Sequence, residues 1–285
     1  MRRRRGATTV RDEARLDDQV AVVTGGGRGI GRAAAILLAR AGAAVCVTAR
    51  TAEEIERTAQ LIRGEGGRAL AMPADVSEWA AVERLAAAVG QDLGPVDILV
   101  ANAGVIDPVG DTWEVRPEDW ADNVGVNLTG VFYAIRAFLP TMVARRGGVV
   151  ILVSSGAARH PVPGWSAYCA AKAGVDHLAR TLAAEVDQRD LPIRVHAMVP
   201  GVVDTSMQER VRGVSRARFA SVDRYRAYHE RGVLRPPEEP GAVIWWLATP
   251  MASDLHGQVV NIDSAAVRSR VADDLGVPPF AARGA

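Results

Sequence analysis

Tyr168 and Lys172 are four residues apart in the alanine-rich run "SAYCAAKAG", where the sequence predicts a helix. Residues at i and i+4 share one face of a helix, so the phenol and the amine can reach a common ligand. A free phenol has a pKa of about 10, and a nearby ammonium group lowers it by favouring the phenolate. The pair is therefore a candidate general acid or base, although the same spacing also occurs on ordinary helix surfaces.

Seven short apolar runs, rich in valine, alternate with stretches of helical period. Runs that are apolar throughout indicate strands covered on both faces by helices. This alternation predicts an α/β fold with a doubly wound sheet of about seven parallel strands and helices on both faces. Ligands of such sheets bind beyond the carboxyl ends of the strands. The predicted strands are 20–25, 44–49, 68–75, 96–104, 148–155, 193–201 and 257–263.

No repeat or low-complexity linker divides the 285 residues, so the sequence predicts a single domain over 16–266. We expect a basic, disordered tail at 1–15 and a second tail at 267–285. The polar, helical segment 202–233 interrupts the strand–helix rhythm after the sixth predicted strand. A long insertion at that edge predicts a substrate lid.

Composition excludes several classes of function. Lys and Arg number 34 against 33 Asp and Glu, so we expect no nucleic-acid partner, and "MRRRRG" is interpreted as a tail. No continuous apolar run of membrane length is present, so we expect no membrane span. Cys46 and Cys169 lack disulfide or metal-ligand spacing, which predicts thiols in a reducing cytoplasm and no metal site.

A glycine-rich loop, "TGGGRGIGRAAA" (24–35), follows the first predicted strand and opens the first helix. Gly25, Gly29 and Gly31 allow a tight turn and a close approach to a pyrophosphate at the helix N-terminus. The tip of the second strand carries Arg50, with no acid to bind a ribose 2′-hydroxyl. With Arg28 in the loop, two guanidiniums favour the 2′-phosphate of NADP(H).

The chain resembles the short-chain dehydrogenase/reductases over about residues 16–264. "TGGGRGIG", "ADV", "ANAG", "VNLTG", "SS", "YCAAK" and "PGVVDT" follow the order and spacing of that family, with Ala101 in place of the usual first Asn and "NIDSA" in place of NVDGG. The resemblance implies a Rossmann-type fold, and it implies these cofactor-binding residues: Gly25, Arg28, Gly29, Ile30, Gly31, Arg50, Asp75, Val76, Asn102, Ala103, Gly104, Tyr168, Lys172, Pro200, Gly201, Val203 and Thr205.

The resemblance also implies a catalytic set of Asn127, Ser155, Tyr168 and Lys172. Ser155 would hydrogen-bond the substrate oxygen as charge develops during hydride transfer, and Tyr168 would exchange the proton. Lys172 would also hold the nicotinamide ribose, and Asn127 would position a water that relays protons. Family members commonly form tetramers, so we expect a homo-oligomer.

The second half is similar to the sepiapterin and benzil reductase branch, in which NADPH reduces one carbonyl of a vicinal dicarbonyl. Pterin-reducing members carry an acid where this chain has Ser206, so a pterin substrate is not expected. The sequence thus predicts a carbonyl reductase acting on a small molecule. The alternatives are a secondary-alcohol dehydrogenase working oxidatively with NAD(P) and a non-catalytic nucleotide sensor. The expected substrate-binding residues are Ser155, Trp165, Tyr168, Ser206 and Met207.

Overall fold

A computed structural model describes residues 12–278 and 280–281. Within them, one sheet has the strand order β3-β2-β1-β4-β5-β6-β7, and all neighbouring strands are parallel. The doubly wound sheet of seven parallel strands predicted from the sequence is therefore confirmed. The strands are β1 (Val20–Thr24), β2 (Ala44–Thr48), β3 (Ala69–Ala71), β4 (Ile98–Ala101), β5 (Gly148–Val153), β6 (Ile193–Val199) and β7 (Val259–Asn261).

Helices cover both faces of the sheet. In β1, Val20 and Val22 pack into one buried apolar cluster, and Ala21 and Val23 pack into the other. This alternation explains why the strands are apolar at most positions, although β6 also contains Arg194 and His196. The helices are α1 (Gly29–Arg40), α2 (Ala52–Gly64), α3 (Trp79–Asp92), α4 (Pro117–Val124), α5 (Gly130–Arg145), α6 (Ser166–Asp187), α7 (Ser206–Arg212), α8 (Val222–Glu230), α9 (Glu238–Ala248) and α10 (Ala265–Leu275).

The packed domain extends beyond the expected limits of 16 and 266. Ala14 is buried, and its carbonyl accepts a hydrogen bond from the Trp245 indole at 2.8 Å. Helix α10 buries Val271 and Leu275, and the Trp246 indole donates to Asp274 at 2.7 Å. Residues 12–15 and 265–275 thus belong to the domain because they cover α9, whose residues are almost all buried. The basic residues at the start of the chain lie outside the described residues.

Helices α4 and α5 are joined by a π-helical turn, Gly125–Thr129, into one continuous helix, Pro117–Arg145. By length and composition alone this helix could cross a membrane, a possibility that continuous apolar runs did not reveal. In the fold it packs against α3, α6 and the sheet, and Phe138 and Met142 contribute to the core. The helix is therefore one of those that cover a face of the sheet in the doubly wound fold.

The segment 202–233 forms two helices, α7 and α8, above the carboxyl ends of the strands. Val211 from α7 and Tyr225 from α8 join Phe219, Trp165 and Tyr168 in a third apolar cluster, separate from the two that flank the sheet. The segment is therefore packed onto the residues around Tyr168.

Candidate functional site

A cavity of about 570 Å³ runs along the carboxyl ends of the strands, as the topology requires. The glycine loop lines one end, and Tyr168, Trp165 and the helices α7 and α8 line the other. The residues predicted to bind cofactor or substrate are thereby brought together. Those that line the cavity are Gly25, Arg28, Gly29, Ile30, Arg50, Asp75, Val76, Asn102, Ala103, Gly104, Ser155, Trp165, Tyr168, Lys172, Pro200, Gly201, Val203, Thr205, Ser206 and Met207.

The glycine loop is shaped by close backbone approach. Gly25 has φ +65°, and a Cβ on Gly31 would lie 2.2 Å from the Gly25 carbonyl oxygen. No side chain fits at Gly31, so the loop turns directly into α1 and presents the helix N-terminus to the cavity. This arrangement fits a pyrophosphate, because free backbone N–H groups and the helix dipole both favour an anion.

The end of β4 is tied to the glycine loop by two short side chains. Asn102 Nδ2 donates to the carbonyls of Thr24 (2.9 Å) and Gly25 (3.2 Å). The Thr24 hydroxyl accepts from the backbone N–H groups of Asn102 and Ala103, each at 3.0 Å. These bonds fix the 102–104 backbone as one wall of the cavity, and the amide of Asn102 is used in doing so.

Two arginines face the cavity at the tips of β1 and β2. Arg28 lies 3.5 Å from Glu54, and Arg50 lies 4.0 Å from Asp75. Both guanidiniums are more than half exposed, so they are available to a ligand phosphate. Glu54 belongs to the first turn of α2, as its place after the strand tip indicates. The other oxygen of Asp75 accepts from Ser77, which orients its carboxylate.

The loop after β6 is held by Arg235, which sequence reasoning missed. Arg235 is 1% exposed and forms ion pairs with Glu239 (2.7 Å) and Asp263 (2.5 Å). Val203 pairs with Arg235 in a parallel bridge, and Gly201 (φ +71°) contacts its side chain. The predicted cofactor-binding residues of "PGVVDT" (200–205) therefore depend on a buried guanidinium about thirty residues away, which no local pattern shows.

Tyr168 is 8% exposed and adjoins Ser155, which lies two residues beyond β5 in an extended conformation and caps the short turn Gly156–Ala158. Burial raises the pKa of the Tyr168 phenol, and its hydrogen bond with Ser155 lowers the pKa by less. The sequence-based expectation of a lowered pKa is therefore not met: the loss of solvent outweighs the hydrogen bond with Ser155. The phenol is held in its protonated form at neutral pH.

Lys172 is 3% exposed, and its ammonium donates to the Val153 carbonyl at 2.8 Å. Its Nζ lies 5.8 Å from the centre of the Tyr168 ring. Burial lowers the pKa of Lys172 to about 8, and the nearby Asp176 carboxylate opposes that shift. The amine is thus fixed beside the phenol by the end of β5.

Asn127 lies in the π-helical turn between α4 and α5, and it is fully buried. Its Nδ2 donates to the Val105 carbonyl and to Asn123 Oδ1, both at 2.8 Å. Its Oδ1 accepts from the Val105 N–H at 3.1 Å. The side chain therefore holds the segment after β4, and both of its donor hydrogens are already used.

Aromatic rings form the wall beside Tyr168. Trp165 stacks on Phe219 at 5.2 Å and meets the Tyr168 ring edge-on at 5.8 Å. Tyr225 lies 5.2 Å from Trp165. Near these rings the cavity is lined by Ser206 and Met207 of α7 and by the exposed His160. The acids that line the cavity are Glu54, Asp75 and Asp263, each paired with an arginine, so among the described residues no acid lines the cavity at the aromatic wall.

Two further residues near the site were not predicted. Arg159 follows Ser155 by four residues and lines the cavity, and Asp176 is buried one turn beyond Lys172. The i, i+4 spacing of Asp176 from Lys172 was a readable signal, but its burial was not. Across the part of the chain that the structure describes, no group of three or more His, Cys, Asp or Glu residues could hold a metal ion.

Fold and site together define a nucleotide-binding oxidoreductase of the α/β class. The family model of the short chain dehydrogenases matches residues 19–214, so the chain belongs to that family.

Relatives with names agree with this class. An uncharacterized NAD-dependent oxidoreductase of Mycobacterium tuberculosis is 34% identical, over 89% of this chain and 97% of its own. The 3-oxoacyl-(acyl-carrier-protein) reductase of Thermotoga maritima is 33% identical over 89% of this chain and 99% of its own length. A solved structure from Beutenbergia cavernae, described as a provisional NAD(P)-dependent gluconate 5-dehydrogenase, contains NADP at low occupancy. It superimposes with a TM-score of 0.77 and is 32% identical, over 88% of this chain and 97% of its own. The chain is thus an oxidoreductase of this family, with a site for a nicotinamide cofactor.

Proposed function

We propose that the protein is an NADP(H)-dependent carbonyl reductase that acts on a bulky ketone, preferably an aromatic vicinal dicarbonyl. The observation that carries this proposal is the position of the Tyr168 phenol, which is buried beside Ser155 and Lys172 in a cavity with an aromatic wall. Reduction of a carbonyl needs a proton donor at the oxygen, and a protonated phenol supplies one. Oxidation of an alcohol needs the phenolate instead, which burial disfavours.

The cofactor, when bound, supplies the hydride to the carbonyl carbon. Tyr168 donates its proton to the carbonyl oxygen, and the Ser155 hydroxyl hydrogen-bonds the same oxygen as it gains charge. Lys172, anchored on Val153, keeps a positive charge beside the phenol, and because it lines the cavity it would hold the cofactor ribose. Asn127 supports this set by holding the segment after β4, and its remaining oxygen lone pair is available to a water.

NADP(H) rather than NAD(H) is proposed because of Arg28 and Arg50. Both line the cavity where the glycine loop meets β2, and each remains more than half exposed despite its carboxylate neighbour. A 2′-phosphate offers them a stronger partner than those carboxylates, since Arg binds phosphate with paired hydrogen bonds. The named relatives include one called NAD-dependent and one structure with NADP, so they support a nicotinamide cofactor of either kind.

The substrate class follows from what lines the cavity near Tyr168. The rings of Trp165, Tyr225 and Tyr228 offer apolar surface to a bulky group. A pterin carries amino and ring N–H groups that favour an acidic partner, and Ser206 offers none. The missing charge-assisted hydrogen bond corresponds to about 1.5–3 kcal/mol. A diketone has no such donors, so the absence of an acid at position 206 does not weaken its binding.

Initial rates of NADPH consumption test the function with three substrates: benzil, deoxybenzoin and sepiapterin. Deoxybenzoin is the matched monoketone, because it differs from benzil by one carbonyl oxygen. We expect the highest kcat/KM for benzil. Sepiapterin as the best of the three, or no reduction of benzil, would contradict the proposal. No turnover with either cofactor in either direction would favour a nucleotide sensor.

Ser206→Asp should narrow the gap between benzil and sepiapterin, because it supplies the missing acid at the start of α7. Ser206→Asn is the control, since the asparagine side chain has nearly the same shape as aspartate but carries no charge. An equal change in both variants would show that size, and not charge, determines the preference.

A homo-oligomer and a cytoplasmic location are also proposed. Phe132 and Trp120 on the long helix Pro117–Arg145 are 48% and 36% exposed, which leaves apolar surface for another subunit. Both cysteines are free thiols, which suits a reducing compartment.

A further inference from the structure

Asp176 extends the row of functional side chains along α6. Tyr168, Lys172 and Asp176 follow at i, i+4 and i+8, so they share one face of the helix. All three are buried, and Asp176 is 4% exposed. Aspartate is rarely buried to this extent unless it has a charged partner. Its position beside Lys172 therefore requires an explanation that the family motif does not give.

The Asp176 carboxylate is poorly satisfied by hydrogen bonds. Its Oδ2 lies 3.6 Å from Arg159 Nε, which is an ion pair but longer than a good hydrogen bond. Its Oδ1 is buried and has no hydrogen-bond partner within the described residues. A buried carboxylate that serves packing alone would be expected to have its oxygens bonded. Here the surrounding charge, and not hydrogen bonding, offsets the cost of burial.

Two cations flank this carboxylate. Arg159 approaches it from the short turn after Ser155 and is 44% exposed on the side chain. Lys172 lies one helical turn away and is buried, with Val153 as its hydrogen-bond acceptor. Among the described residues, the polar side chains that the structure places near the Lys172 ammonium are neutral: Asn127 from the π-helical turn and Tyr168 from the same helix. Asp176 is therefore the acid that acts on Lys172.

We propose that Asp176 is a positioning residue that keeps Lys172 protonated for turnover, and that Arg159 holds its carboxylate against the turn that carries Ser155. Burial acts in the opposite direction, because it lowers the pKa of Lys172 to about 8. Without the Asp176 charge, the amine loses its proton at a lower pH. The Tyr168 phenol then loses the cation that stabilises negative charge on it.

The chain provides a direct test, because Lys172 is its single lysine. Protein grown with lysine carrying ¹³C at the ε-carbon gives one lysine NMR signal, and its shift against pH reports protonation of Lys172 alone. Asp176→Asn keeps the size of the side chain and removes its charge. We expect the titration midpoint to fall by about one pH unit or more relative to wild type. An unchanged midpoint would overturn the proposal.

Asp187→Asn is the matched control. Asp187 lies on the same helix, but it is 68% exposed and pairs with His256, so its loss should leave the Lys172 midpoint unchanged. Should Asp176→Asn not fold, Arg159→Gln tests the same link from the exposed side. Removing that cation should raise the Lys172 midpoint, and a midpoint that does not move would contradict the arrangement.

A kinetic measurement connects the charge to turnover, and this part rests on the proposed function. The alkaline limb of the kcat/KM–pH profile, which reports ionisations of the free enzyme, should move in Asp176→Asn by the same amount as the NMR midpoint. An alkaline limb that stays in place while the midpoint moves would overturn the link to turnover. Absence of reductase activity in wild type would contradict the proposed function and leave the NMR result standing.

Discussion

Arg50→Gln tests the cofactor proposal with little risk to the fold. The Arg50 guanidinium is 64% exposed and lies 4.0 Å from Asp75. An exposed ion pair of this kind contributes about 0–1 kcal/mol to stability. No other ion pair of Arg50 occurs among the residues that the structure describes, so the variant should fold.

The cost to cofactor binding is larger. Hydrogen bonds to a charged group contribute about 1.5–3 kcal/mol, and removing them from a 2′-phosphate should weaken NADPH binding by that amount. At about 1.4 kcal/mol per factor of ten, NADPH should bind about 10- to 150-fold more weakly. NADH has no 2′-phosphate, so its affinity should not change. Arg50→Asp should go further, because a carboxylate repels the phosphate and accepts a hydrogen bond from a ribose hydroxyl.

Fluorescence titration of wild type and each variant with NADPH and with NADH gives the dissociation constants needed for the comparison. Arg40→Gln is the control: Arg40 is also a half-exposed arginine, paired with Glu65 at 2.7 Å, and it does not line the cavity. Wild type should favour NADPH by tenfold or more, about 1.4 kcal/mol. Equal affinities in wild type, or an equal loss for both cofactors in Arg50→Gln, would refute the reasoning.

Three further predictions concern catalysis, stability and assembly. Tyr168→Phe should bind NADPH as wild type does and lose nearly all turnover; a variant retaining more than about a tenth of kcat, a loss below about 1.4 kcal/mol, would exclude Tyr168 as the acid. Burial lowers the pKa of His196 to about 4, so the unfolded state binds more protons between about pH 6.5 and 4. Urea denaturation should therefore show that the free energy of unfolding decreases by up to about 3 kcal/mol as pH is lowered through that window. The decrease should be smaller in His196→Gln, and equal decreases in wild type and variant would contradict this prediction. Light scattering should give more than a monomer mass at micromolar concentration, and a monomer would exclude the proposed oligomer.

Much of the fold was readable because it depends on local patterns. Most strands are short apolar runs bounded by glycine, proline or a polar residue, and β6 differs because it contains Arg194 and His196. Parallel strands need covering on both faces, so continuous valine-rich runs already indicate the layers. The limits of the domain were less readable. Ala14 and Val271 lie in unremarkable segments, and their burial depends on α9, more than twenty residues away along the chain from either.

Residue identity and spacing along the chain also fixed the position of the candidate site. Tyr168 and Lys172 lie within one helix, and Gly25 to Gly31 lie within one loop, so their relations are set by local geometry. The tertiary structure decided the electrostatics. Burial raises the pKa of Tyr168 and lowers that of Lys172, and these shifts depend on how much solvent the surrounding elements exclude.

The same distinction applies to the supporting residues. Sequence placed Asn127 in the site, but only the fold shows that its amide bonds Val105 and Asn123. The burial of Asp176 beside Lys172 and the clamping of the β6 loop by Arg235 are likewise products of long-range packing. The sequence determined which reactive groups are present and their order, because those are local properties. The tertiary structure alone determined which of these groups are buried, which are charged and which already form hydrogen bonds, because these properties depend on every segment packed around them.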